Sequence, residues 1–364
     1  MLALAARHMG ARVVCVGRDG ASSPAAPVCD DALAWNDDPA ALVAELSRRT
    51  DVVTFEFESV PVDLLDALGA SAVECRPAPG VVSVAADRTR EKALFVATDV
   101  PTVAHHGADG RDEAVDAVLS IEGPVVVKTA SGGYDGHGQV VVGAEVAPDE
   151  AVAAVASLGV DHLIVEELVD LAAEWSVVVC RDASGAVAYD PFENVHVDHV
   201  LDTSTWPARD PGDLAPVVLD HSLRLAEAVD LVGVMCIEWF VTADGRALAN
   251  EIAPRPHNSA HLTIEAAATS QFAQQARVAL GFPLGAVSRR GPAAMANLLG
   301  DLWGSGAPPD FAAALSAGDV HLHHYGKGEA RPGRKMGHLT ALADDPREAL
   351  HSVRAARSAL RRRR

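Results

Sequence analysis

Glu238 and Glu251 lie on either side of the tetrapeptide Thr-Ala-Asp-Gly, in the stretch EWFVTADGRALANEIAPRPHNSAH. The flanking runs, Val234 to Val241 and Arg246 to Ile252, are short and apolar. Asp-Gly between such runs predicts a two-residue hairpin turn whose central residues both take positive φ. With Asp244 and Gly245 in the turn, Glu238 faces Glu251 directly; a four-residue loop keeps that register and a three-residue loop breaks it. Like charges opposed on one sheet face repel, and the neighbours Ile237, Trp239, Ala249 and Ile252 are too apolar to bring in solvent. A divalent cation relieves the pair, and hard carboxylate oxygens suit Mg²⁺ held by one or two carboxylates plus substrate phosphates. Asn250 adds an oxygen donor, and Arg255, His257 and Asn258 follow at once. Read alone, the hairpin also accommodates two solvated glutamates on an exposed turn.

Three further groups carry chemistry. Lys128 to Gln139, KTASGGYDGHGQ, joins two predicted strands through glycines 132, 133, 136 and 138. Such a loop can bring bare backbone N–H groups to phosphate oxygens, with Lys128 as a point charge. It matches neither the P-loop nor a dinucleotide fingerprint and reads as a flap; a glycine-rich hairpin without ligand is the plainer alternative. Lys327, Arg331, Arg334 and Lys335 gather cations in the glycine- and proline-containing segment GKGEARPGRKMGH, which suits a phosphate monoester or else a solvated basic turn. Lysine is otherwise rare, only four occurring among the 30 Lys and Arg residues, so each one raises the question of a compact ammonium's role. Glu56 and Glu58 end a predicted strand, Val52 to Phe57. Alternation puts both carboxylates on one face at the end where open sheets bind ligands, to meet ribose hydroxyls or solvent. His196 and His199, at i and i+3, would ligate metal on a helix; His196 reads better as a neutral donor or a packed residue.

The elements that position these groups alternate as in an α/β protein. Met1 to Met9 reads as a helix, Arg12 to Val16 as a strand and Pro39 to Arg49 as a helix. Ala86 to Val96 reads as a helix capped by Asp87 with Arg88 near its start. Asp109 to Ser120 is a helix, Val125 to Lys128 and Val140 to Val142 strands, Asp149 to Leu158 a helix, and His162 to Glu167 a strand ending in two glutamates. Glu174 opens strand Trp175 to Cys180, which turns at Asp182 to Gly185 into Ala186 to Pro191. Helices Leu214 to Val229 and Ser270 to Leu280 flank the opening hairpin. A smaller C-terminal unit follows, with Met295 to Leu299, helix Pro309 to Leu315, strands Val320 to Tyr325 and Leu339 to Leu342, and helix Pro346 to Leu360.

At 364 residues the chain holds two or three domains, and its net charge of −20 argues against nucleic acid. The Arg361–Arg364 tail reads as a disordered end. No stretch approaches the ~18 apolar residues of a membrane span, and MLALAARHMG lacks the features of a signal peptide. Five scattered cysteines without a Cys-x-x-Cys pair fit a reducing, cytoplasmic setting.

The stretches TFEFESVP, ADRTREK, VVVKTASGGYDGHGQ, IVEELVDLAAEWSV, FENVHVDHVLDTS, GVMCIEWFV, NEIAPRPHNSAH and HHYGKGEARPGRKMGH together resemble the ATP-grasp superfamily. Within it they resemble the N5-carboxyaminoimidazole ribonucleotide synthetases. The resemblance implies an ATP-grasp fold, α+β in its nucleotide-binding part, with an N-terminal open parallel sheet domain and a small C-terminal domain. The corresponding units are 1–85, 86–290 (with a flap subdomain at about 100–165) and 291–364. It implies that Arg88 and Lys128 contact phosphate and that Gly133, Tyr134, Asp135, Gly136, His137, Gly138 and Gln139 close over ATP. Glu166, Glu167, Leu168 and Val169 would hold adenine, Glu174 the ribose, and His196 would also lie at the nucleotide. Glu238 and Glu251 would hold Mg²⁺ with Asn250 beside them, and Arg255, His257 and Asn258 would bind bicarbonate. Lys327, Arg331, Arg334 and Lys335 would take the 5′-phosphate of 5-aminoimidazole ribonucleotide, and Glu56 or Glu58 would face its sugar. Lys128, Tyr134, Arg255, His257 and Asn258 form the implied catalytic set.

The implied reaction is ATP-dependent carboxylation of that ribonucleotide through carboxyphosphate, in de novo purine synthesis, by a cytoplasmic homodimer. The alternatives are another ATP-grasp carboxylate–amine ligase and a nucleotide-binding remnant without full activity. The chain departs from the family at its front, where a strand and a Gly-rich turn would precede the first helix. Loss of that strand would leave a sheet edge or gap and remove part of the ribonucleotide site.

Overall fold

The computed structural model describes residues 1–35, 37–57, 59–133, 136–210, 213–304 and 307–360, so Glu58, Tyr134, Asp135 and the Arg361–Arg364 tail lie outside the described residues. Helix Leu2–His8 leads into strands β1 (Val14–Gly17) and β2 (Asp31–Ala34), which pair in parallel. Helix Pro39–Arg49 starts where Asp38 accepts a hydrogen bond from Ala41 N–H, with proline at the first position, which needs no donor. It buries Leu42, Val43 and Leu46 against Phe55, Leu64, Leu65 and Leu68. The expected strand over Val52 to Phe57 does not form. Among the described residues the isolated bridge Val53–Cys75 is the segment's only sheet pairing, and no ladder is completed. Glu56 therefore sits on irregular backbone, its Oε1 3.5 Å from the Met1 amino group.

The second unit is a four-stranded antiparallel sheet. Its strands are β3 (His105–Ala108), β4 (Val125–Thr129), β5 (Gln139–Val142) and β6 (Leu163–Glu167), in the order β3-β6-β4-β5. Val125, Val127, Leu163 and Val165 point to one face and are buried under helices Arg111–Ser120 and Pro148–Ser157. The glycine loop is the connection of the β4–β5 hairpin, with Lys128 opposite Gln139.

The third unit is a nine-stranded sheet of β7 (Leu171–Asp182), β8 (Gly185–Ala188), β9 (Phe192–Val197), β10 (Val200–Trp206), β11 (Gly233–Thr242), β12 (Ala247–Ala253), β13 (Ala293–Leu299), β14 (His321–His324) and β15 (Lys335–Leu342). The order is β12-β11-β7-β9-β10-β13-β15-β14, with β8 alongside β7. The C-terminal strands thus extend the central sheet through the β10–β13 pairing. Helix Leu214–Ala228 covers one face, burying Val218 and Leu225 with Trp175, Ile237 and Trp239.

Two expectations change here. His196 and His199 share a β-hairpin, not a helix: Asp198 (φ +50°) and His199 (φ +64°) form the turn between β9 and β10. Both central residues take the left-handed conformation that a two-residue hairpin turn requires, so the i, i+3 metal-ligand geometry is absent. The β11–β12 hairpin does place Glu238 opposite Glu251, but by another route. Thr242 N–H donates to Arg246 C=O, so Ala243, Asp244 and Gly245 make a three-residue turn with only Gly245 at positive φ. The lost register is recovered by a bulge at Asn250, which shifts the ladder between Glu238 and Trp239.

Candidate active site

One cleft of about 3160 Å³ runs along the first unit and on between the four-stranded sheet, the β11–β12 hairpin and the loop before β15. It is several times the volume of a site for one small ligand. On its floor, Glu238 Oε1 lies 2.9 Å from His257 Nε2 and Glu251 Oε2 lies 3.1 Å from Arg88 Nη1. Each of the opposed carboxylates therefore has its own cation. Burial works against charge on Glu238, but His257 overcomes it and holds the carboxyl at about 2. Burial likewise opposes charge on His257, and the Cys236 thiol and Glu238 beside it raise the imidazole to about 10. The other ring nitrogen, Nδ1, lies 2.8 Å from Ser259 Oγ, which accepts a hydrogen bond from Ser176 Oγ at 2.7 Å.

Beside these groups are unsatisfied atoms. Asn250 Oδ1 and both side-chain polar atoms of Asn258 are buried without hydrogen-bond partners among the described residues. A buried polar group in that state costs about 1–3 kcal/mol, which a ligand recovers. Both residues line the cleft, as does Arg255, whose Nη1 donates to Pro256 C=O.

Lys128 reaches the cleft from β4 and pairs with Glu166. Glu166 has a 2% exposed side chain, and its other oxygen is 3.3 Å from Lys92 Nζ. Burial pushes Glu166 up, but Lys128 and Lys92 bring it down to about 2. Its carboxylate is thus committed to two ammonium groups. Leu168, 41% exposed, lines the cleft from the same strand end, where Glu167 N–H and Leu168 N–H donate to Ala104 and Pro124 carbonyls. Val169 follows directly on that segment.

Glu174 Oε2 is 2.5 Å from His196 Nδ1. Burial disfavours a charged His196, and Glu174 more than offsets it, so the imidazole is raised above its usual 6.5. Gly133, Gly136, His137 and Gln139 line the cleft from the flap. Gly136, at φ +80°, packs so tightly on His199 that a Cβ would stand 2.6 Å from its Cγ; Gly138 (φ +78°) is similarly close to Thr129.

At the far end, Lys327 Nζ donates to Lys335 C=O and Arg334 Nη1 donates to Glu329 C=O. The more exposed Arg331 has Nε 3.5 Å from Glu329 Oε2. All four cations of the loop line the cleft with Glu56, and Lys335 lies close enough to Glu238 to help hold it ionised. The structure adds Glu91 and Lys92, which sequence reasoning left without a role. Their signal was the pattern Arg88, Glu91, Lys92, a charged stripe at i, i+3 and i+4 on one face of the helix.

Two antiparallel sheets clasping a cleft, one offering a lysine and a glycine flap and the other paired carboxylates, define an ATP-grasp protein. Family models agree along the chain: the ribonucleotide synthetase preATP-grasp domain matches residues 1–86, the ATP-grasp domain 93–272, and the phosphoribosylaminoimidazole carboxylase C-terminal domain 293–352. The N5-carboxyaminoimidazole ribonucleotide synthase of Brucella melitensis is 39% identical over 344 residues, covering 94% of this chain and 92% of that protein. The chain belongs to the N5-carboxyaminoimidazole ribonucleotide synthase family. Among solved structures, the synthetase from Thermus thermophilus superposes with a TM-score of 0.86 at 34% identity, covering 99% of this chain and 94% of that one. The Aspergillus clavatus enzyme, in complex with ADP and 5-aminoimidazole ribonucleotide, gives 0.87 at 27% identity, covering 99% and 95%.

Proposed function

We propose that the chain is an ATP-dependent ligase that carboxylates 5-aminoimidazole ribonucleotide to N5-carboxyaminoimidazole ribonucleotide in purine biosynthesis, with bicarbonate as the carbon source. The observation that carries this reading is a single cleft with three chemically distinct ends: Lys128 and the glycine flap, the Glu238–Glu251 pair with Asn258, and the basic loop around Lys327. They suit a nucleoside triphosphate, a small oxyanion and a phosphorylated acceptor. The units 1–85, 86–290 and 291–364 share the work, the outer two framing the acceptor and the middle one the nucleotide.

Lys128 and Arg88 bear on the phosphates, the flap glycines cover them, and Glu174 with its partner His196 meets the ribose end. The backbone from Glu166 to Val169 faces the adenine. Glu238 and Glu251 are suited to Mg²⁺: Asn250 Oδ1 is an unused donor next to them, and two carboxylates completed by phosphates and water are a sufficient set. Bound there, Mg²⁺ would supply Lewis-acid neutralisation of phosphate charge during phosphoryl transfer.

Arg255, His257 and Asn258 orient bicarbonate so that its oxygen attacks the γ-phosphorus, with ADP leaving and carboxyphosphate formed. The positive His257 and Arg255 stabilise the doubly anionic product. The flap, closed by Gly136 on His199, keeps water from carboxyphosphate while it releases phosphate and CO₂. The acceptor's exocyclic amine takes up the CO₂ and loses a proton to give the carbamate. Arg331, Arg334, Lys327 and Lys335 hold the 5′-phosphate, and Glu56 faces the sugar.

The five free cysteines support a cytoplasmic setting, and the working form is taken as a homodimer; sedimentation at micromolar concentration tests the latter. ADP release from ATP in the presence of bicarbonate and the ribonucleotide tests the reaction. Equal release with formate in place of bicarbonate, or without the ribonucleotide, would refute it.

A further inference from the structure

β12 ends the central sheet on its side, so its outer edge has no strand partner among the described residues. Unpaired buried N–H and C=O groups are costly, and this edge is satisfied in an unusual way. Ala249 N–H donates to Pro101 C=O at 2.7 Å, and Thr102 Oγ1 donates to Ala249 C=O at 2.7 Å. One residue further on, helix Arg88–Ala97 takes over. Lys92 Nζ donates to Asn250 C=O at 2.8 Å, and Glu91 Oε1 accepts from Ile252 N–H. Those are the two peptide groups on either side of the Glu251 Cα. Arg88, a turn earlier on the same helix, meets the Glu251 carboxylate itself.

The need for such a grip follows from the hairpin. The bulge at Asn250 interrupts the ladder at this point, and Glu238 repels Glu251 across it. Neither β11 nor the turn fixes Glu251 alone. The grip is also expensive: Glu91 is 1% exposed and Lys92 0%, and polar groups so buried cost free energy unless they are hydrogen-bonded. Apolar residues, however, would leave Asn250 C=O and Ile252 N–H unpaired. Lys92 reaches further, since Glu166 bridges it to Lys128. One helix face therefore touches both halves of the phosphate-binding centre.

We propose that Glu91 and Lys92 are positioning residues: they fix the backbone of Glu251 against Glu238 and, through Glu166, set the place of Lys128. The inference rests on reading Glu251 as a magnesium ligand. Partners that orient ligands typically change metal affinity or activity 10- to 100-fold when lost.

The test is calorimetric titration of Mg²⁺ into the protein–ADP complex, with thermal melting as the check on folding. Glu91→Leu and Lys92→Met should each weaken Mg²⁺ binding by roughly tenfold or more. Glu91→Gln, which keeps an acceptor oxygen for Ile252 N–H, should restore most of that loss. Where the Leu or Met variant fails to fold, Glu91→Asp decides, because it keeps the carboxyl group but withdraws the acceptor by one methylene. A tenfold weakening there supports the proposal and wild-type affinity overturns it. Glu251→Gln separates the two readings. If it loses Mg²⁺ affinity while Glu91→Leu and Lys92→Met keep theirs, the positioning role is wrong and the metal assignment stands. If Glu251→Gln itself binds Mg²⁺ as the wild type does, both are wrong.

Discussion

Glu251 carries the most weight of any single side chain, since it faces Glu238 and Arg88 at once. Glu251→Gln keeps its shape and removes its charge. If it holds the metal, kcat should drop by about a thousandfold or more with the melting temperature within a few degrees of wild type; near-normal turnover would remove the metal assignment. A second residue-scale expectation concerns His162, whose Nδ1 is 2.7 Å from Asp109 and Nε2 3.0 Å from Asp87. Its hydrogen bonds to Asp87 and then Asp109 raise the imidazole above its usual 6.5. A raised value means the pair's stabilisation is complete below the unfolded value, near 6.5, and is lost as pH climbs through the folded value. His162 is partly exposed, so the contribution is below about 1 kcal/mol. The melting-temperature gap between wild type and His162→Gln should be widest at pH 6 and shrink towards pH 9; a constant gap would contradict it. At this scale Glu238, Glu251, Asn258 and the basic-loop cations were legible because charge in apolar or glycine-rich surroundings is visible in one dimension. The ion-pair partners were not, because Arg88–Glu251 and Lys128–Glu166 join residues far apart in sequence.

Most elements were legible to within two residues, including the Asp87 cap and the helix Pro39–Arg49. The hairpin shows the limit of such reading. Asp-Gly favours a two-residue turn, yet Thr242 Oγ1 donates to Asp244 and accepts from Arg246 N–H, and these side-chain bonds close the three-residue form. The Glu238–Glu251 pairing expected from the shorter turn survives only because Asn250 is inserted. The flap supplies this scale's prediction. Gly136→Ala asks an L-residue to hold φ +80° and sets a Cβ against the His199 ring. Closure over ATP should suffer, with KM for ATP rising and kcat falling roughly tenfold in steady-state kinetics. Unchanged kinetics would mean that Gly136 does not need to approach His199 during turnover.

At the scale of the whole molecule, the sequence order of units was readable, but their joining was not. β10 pairs with β13, Thr203 opposite Ala296, so the C-terminal strands continue the sheet that carries the carboxylates. Local periodicity cannot announce a partner that distant. Nor could it announce that Val52 to Phe57 would lack a ladder, since a strand needs a neighbour as well as a pattern. The consequence of the joining is functional. The basic loop leads directly into β15 of the same sheet, and this fixes the acceptor's phosphate end relative to Glu238 and His257. Activation of bicarbonate by ATP within this cleft is the central claim. It is tested most directly by supplying ¹⁸O-labelled bicarbonate with ATP and 5-aminoimidazole ribonucleotide and weighing the released phosphate. Attack by bicarbonate on the γ-phosphorus predicts one ¹⁸O in each phosphate, formed in step with ADP and carbamate. Unlabelled phosphate formed at the same rate would contradict it.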